Sequence, residues 1–77
     1  MNTITIYTTT DDLVNKMALL SLLENMTSTS QVENIKGMYK PFNVYLTNKP
    51  QNRVAFNLNY STLSLLTIFV GNNLLID

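Results

Sequence analysis

Three stretches of this chain alternate apolar and polar positions with the two-residue rhythm of a β-strand. In Thr3–Thr9, Ile4 and Ile6 point one way while Thr3, Thr5, Tyr7 and Thr9 point the other, a β-branched run suited to a pleated surface. Residues 42–47 set Phe42, Val44 and Leu46 against Asn43, Tyr45 and Thr47. Residues 53–60 set Val54, Phe56, Leu58 and Tyr60 against Asn57 and Asn59. Between the last two lies Asn48-Lys49-Pro50-Gln51-Asn52, a turn cluster in which Pro50 stops continued pairing. The pattern predicts a β-hairpin over residues 42–60.

A helical rhythm occupies the segment after the first strand. Thr9 or Thr10 supplies a capping hydroxyl, and Asp11-Asp12 places carboxylates in the first turn, where they favour the helix dipole. Good helix formers then run to Asn25 or Met26, and Thr27-Ser28-Thr29-Ser30 reads as a loop. At about 100° per residue, Leu13, Met17 and Leu20 form one stripe. Leu19, Leu22, Leu23 and Met26 extend well beyond it, and Val14 lies on yet another side. A helix apolar over most of its circumference needs either a second layer or a partner. In so short a chain a partner is expected, with Leu19, Leu22, Leu23 and Met26 as its contacts.

Two regions admit more than one reading. Residues 31–41 form either a helical turn or an edge strand, punctuated by Gly37 and Pro41. In the last segment, Ser61 caps a helix over residues 62–70 stopped by Gly71, or else residues 67–70 are a strand turning at Gly71-Asn72 into residues 74–76. The spacing of Leu63, Leu66 and Val70 favours the helix. With a terminal strand the order becomes β-α-β-β-α-β, the ferredoxin-like plan. The expected fold is a single α+β domain over residues 1–77: a small antiparallel sheet with one or two helices.

Composition sharpens the picture. Charged residues make up 13% of the chain and the net charge is zero, against about 25% charged in a typical soluble domain. Polarity comes instead from eleven Asn and ten Thr. Between Val54 and Ile76 there are 23 residues without a charge. A neutral, charge-poor surface is weakly protected against association. A chain of this length buries only about 60% of its unfolded surface. There is no Cys and no His, so neither disulfides nor the usual zinc ligands can reinforce the core. Oligomerisation is the remaining reinforcement, and a homodimer is expected. The N-terminus lacks a basic region followed by an apolar core, which points away from a secretory signal. The longest apolar stretch, residues 62–76, is too short for a membrane span, which needs about 20 residues. A cytoplasmic address and no membrane partner are expected.

The chemistry present is sparse. Without His or Cys the commonest acyl-transfer and proton-shuttle arrangements are missing, and two glycines make no phosphate-binding loop. No enzyme activity, cofactor or metal is expected. Lys36, Lys40, Lys49 and Arg53 lie within 18 residues free of carboxylates, interleaved with Tyr39, Phe42 and Tyr45. Lys36, Tyr39, Lys40, Lys49 and Arg53 are therefore candidates for holding nucleic-acid or nucleotide phosphates. The outward positions Asn43, Tyr45, Thr47, Asn57 and Asn59, joined by Thr3, Thr5 and Tyr7, would form a neutral hydrogen-bonding sheet face, with Tyr45, Asn57 and Asn59 as partner contacts. The leading expectation is a small interaction protein that binds and blocks another macromolecule, in the manner of a phage or mobile-element inhibitor of a host defence factor. The alternative is a nucleic-acid or nucleotide-phosphate binding module.

Overall fold

The computed structural model describes residues 2–77. They run in the order β1 Thr3–Thr9, α1 Leu13–Glu24, α2 Thr29–Ile35, β2 Val44–Leu46, β3 Arg53–Asn59, α3 Tyr60–Val70 and β4 Leu74–Ile76, with a 3-10 turn over Gly71–Asn73. The α+β expectation holds. No helix among the described residues is long and apolar enough to cross a membrane.

The sheet order is β3-β1-β2-β4, with β1 antiparallel to both neighbours and β2 parallel to β4. The predicted hairpin over residues 42–60 is therefore not formed. The two strands exist, but they flank β1 and run in the same direction instead of pairing with each other. Strand alternation reports a half-buried strand and not its partner. Here the seven-residue β1, with Ile4 and Ile6, takes the interior position and is paired on both sides. The sheet is thus mixed, and the linear element order of the ferredoxin-like plan is interrupted by a third helix, α2.

The helix ends also differ from expectation. At α1 the N-cap is Asp12, in the left-handed region at φ 53° and without a side-chain capping bond. Asp11 instead bonds Thr9 and Lys16. The segment read as a loop starts α2: Ser28 accepts from the Gln31 N–H and the Gln31 side chain accepts from the Ser28 N–H, a reciprocal capping box. Helix α3 forms as the helical reading predicts, but Asn59 rather than Ser61 caps it, accepting from the Thr62 N–H at 2.8 Å. Gly71, at φ 56°, ends it in a conformation open mainly to glycine.

The core is one cluster. Strand residues Ile6, Val44 and Leu58 meet Leu19, Leu20 and Leu23 of α1, Val32 and Ile35 of α2, and Leu65, Leu66, Phe69 and Val70 of α3. Helix α3 packs on β1 and β3, while α1 and α2 pack on α3. The inward face of α1 is Lys16, Leu19, Leu20 and Leu23, an i, i+3, i+4, i+7 set. Leu19 and Leu23 are fully buried, so they are core residues and not an exposed partner surface. Leu22 and Met26 are half-buried and pack against the same cluster. The second layer that the apolar helix needed comes from its own chain. The large apolar side chains of α1 left in solvent are Val14, 84% exposed, and Met17, 55% exposed.

Candidate partner-binding sheet face

Every fully buried strand residue lies on one side of the sheet. In β1 these are Ile6 and Thr8, and the register puts Val44 beside Thr8 and Leu58 beside Ile4 on that same side. The opposite side turns away from the helices. Across it the register aligns Ala55, Tyr7, Tyr45 and Leu75 in one row, a residue from each of the four strands. The neighbouring row holds Thr5 opposite Asn57, with the Thr5 hydroxyl donating to Asn57 Oδ1 at 2.6 Å. Thr3 and Asn59 follow. Of the sequence-predicted set, Thr3, Thr5, Tyr7, Tyr45, Asn57 and Asn59 share a face, assembled around β1 instead of on a hairpin, whereas Asn43 and Thr47 fall outside β2 and Asn43 lines a cleft near Lys16.

One ion pair borders the row. The Arg53 guanidinium stacks 3.5 Å from the centroid of the Tyr45 ring and reaches Asp77 Oδ2 at 3.5 Å. A hydrogen bond from Thr47, then the Arg53 charge, hold the Asp77 carboxyl below the usual carboxylate range. Arg53 is thereby neutralised and flattened against an aromatic ring, a favourable use of the planar cation. Asn59 has a structural duty here: its Oδ1 accepts from both the Thr62 N–H and the Ser61 hydroxyl.

Of the other basic candidates, Lys49 acts with Arg53 on the Asp77 carboxyl, while Lys36, Tyr39 and Lys40 lie elsewhere. Lys36 pairs with Glu33 at 3.1 Å, and Tyr39 packs against the core. Lys49 lies in the turn, where its N–H donates to the Thr47 hydroxyl. Lys40 lines a polar cleft of ≈ 280 Å³ together with Asp11, Asn15, Lys16, Phe42 and Asn43.

That cleft centres on a residue that sequence reasoning missed. Lys16 is only 3% exposed, yet its ammonium finds three acceptors: the Thr9 carbonyl at 3.0 Å, the Thr9 hydroxyl at 3.1 Å and Asp11 Oδ1 at 3.3 Å. The Phe42 ring lies 5.6 Å away. A hydrogen bond from Thr9, then the bond and charge from Lys16, lower the Asp11 carboxyl. With its three protons committed, Lys16 fastens the start of α1 to the end of β1. The signal was available: Lys16 occupies the i position of the Leu19, Leu20, Leu23 stripe, whose apolar reading its charge concealed. No group of three or more metal-ligating side chains occurs among the described residues.

Comparison with protein families, with curated proteins and with solved structures finds no match for this chain.

Proposed function

We propose that this chain is a non-enzymatic binding protein that acts by occupying a surface of another macromolecule with the helix-free side of its sheet. The observation that carries the reading is the row Ala55–Tyr7–Tyr45–Leu75, an apolar and aromatic band across all four strands. Hydroxyl and amide side chains border it, and the Arg53 cation beside it is already paired. Tyrosines offer large, rigid, amphipathic contact area with few torsions to freeze, which is why they concentrate at protein interfaces. Thr and Asn hydrogen-bond without the desolvation cost of ions. On this reading the protein works in the cytoplasm, as a homodimer, and blocks its target by covering it, as a mobile-element inhibitor covers a host defence factor.

A photo-reactive amino acid placed in turn at Thr5, at Leu75 and at Val14 tests the reading in cells of the producing host. Thr5 and Leu75 lie on the face, and Val14 is exposed on the far helix. Cross-links to the same second protein are expected from both sheet positions and not from Val14. Cross-links from Val14 alone, or from none of the three, would remove the proposal.

A further inference from the structure

The second free surface is an edge of the sheet. Strand β3 is an outermost strand, and all seven of its residues pair with β1 in unbroken register, so no bulge twists the edge away. It contains no proline and no lysine, and its one charge, Arg53, is at its first residue and turned onto Tyr45 and Asp77. Natural sheets shield long edges with such devices, because the unpaired backbone groups invite another strand. The other edge, β4, is only three residues long. Beside the β3 edge, on the helix side, runs a groove of ≈ 210 Å³ lined by Met17, Leu20, Glu24, Phe56 and Leu58.

From this arrangement we infer that β3 is the dimer seam: a second copy of this chain adds its own β3 antiparallel about a two-fold axis at Phe56, making one eight-stranded sheet. Self-complementarity selects a second copy over other occupants. In this register Phe56 faces Phe56, Val54 faces Leu58, Ala55 faces Asn57 and Arg53 faces Asn59, so apolar meets apolar and no like charges are opposed. An isologous interface needs knob and hole on one surface. Met17, half in solvent, stands at the rim of the groove that the second copy's Met17 would enter.

This inference deepens the homodimer part of the reading above, but it uses an edge and not the face, so the cross-linking result and this one can fail separately. The test is sedimentation velocity on the full chain over a range of concentrations, with circular dichroism to verify folding. The parent chain is expected to dimerise. Ala55 and Asn57 are exposed, and the proposed register sets each against the other across the seam. Ala55→Lys with Asn57→Lys opposes like charges twice and should weaken the dimer by about tenfold or more. Ala55→Glu with Asn57→Lys makes the same two contacts complementary and should keep the dimer. A parent chain that stays monomeric throughout, a double-lysine variant that dimerises like the parent, or equal weakening of both variants would each overturn the inference.

Discussion

Truncating Leu23 separates an inward α1 face from an outward one. Its side chain is fully buried within the single core cluster. Leu23→Ala removes three carbon groups, worth about 2.4 kcal/mol at about 0.8 kcal/mol each. The cavity that remains raises the cost to about 3–4 kcal/mol. A chain of this length has a total stability of about 4–12 kcal/mol, so the variant loses a large part of it. At about 6 °C per kcal/mol for a domain of this size, the melting temperature should fall by about 20 °C. Val14→Ala on the same helix is the control. That side chain is 84% exposed, and replacing a β-branched residue by Ala adds about 0.5 kcal/mol of helix propensity. Its melting temperature should stay level or rise by about 3 °C.

The assay is thermal unfolding followed by circular dichroism, with all variants at one protein concentration, because self-association makes melting concentration-dependent. A Leu23→Ala melt within about 5 °C of the parent would refute the packing argument. So would a Val14→Ala loss equal to that of Leu23→Ala. The stronger change, Leu19→Asp with Leu23→Asp, should abolish folding instead of yielding a soluble monomer, because it buries two unpaired charges.

Three further outcomes follow from polar contacts. Lys16→Met should lie within about 1 kcal/mol of the parent, since the acceptors it abandons belong to exposed residues and its stem sits in the core; Asp11→Ala should be the more damaging of the two in urea unfolding, because it takes an acceptor and the countercharge from a buried ammonium. Asn59→Ala should lower stability by about 1 kcal/mol through loss of the α3 cap, while Ser61→Ala should change it little, as read from thermal melts. Acid should destabilise the fold through Asp11 and Asp77: their folded carboxyls titrate below the usual range, so their contribution is present above that range and is lost as pH falls from it through the lowered folded values. The urea midpoint should therefore drop on acidification, and Asp11→Asn with Asp77→Asn should flatten that drop.

Local patterns in this sequence announce elements better than they announce pairings. Alternation from Thr3 to Thr9 and from Arg53 to Asn59 marks β1 and β3, and Gly71 marks the end of α3. Pairing of residues 42–47 with 53–60 was inferred from the turn cluster between them. That cluster does turn, with the Arg53 N–H donating to the Pro50 carbonyl and Asn52 at φ 61°. Yet the chain emerging from it passes to the far side of β1, a choice governed by long-range packing. The face composition survived the change in topology because side-chain parity depends on each strand alone. The apolar periodicity of α1 points to a stripe of Leu13, Met17 and Leu20, whereas the buried stripe is Lys16, Leu19, Leu20 and Leu23, because a buried lysine is rare and its charge hides its place in the pattern.

The fold accounts for most unusual residues internally. Among buried polar side chains, Lys16 ties β1 to α1, the Thr8 hydroxyl donates to the Thr9 carbonyl, and Thr62 sits under the α3 cap. The uncharged run from Val54 to Ile76 contributes Leu58, Leu65, Leu66, Phe69 and Val70 to the core. Val14, Met38, Tyr60 and Ile76 also stay in solvent, but Tyr7, Tyr45 and Leu75 align as a row on a side that no helix covers, and Met17 stands beside an unshielded edge. A solvent-facing row could have been filled with lysine and glutamate, and an edge could have carried a proline or a lysine, at little cost to this core. Both surfaces instead keep neutral, contact-forming side chains, and association is the physical setting in which those choices stabilise something.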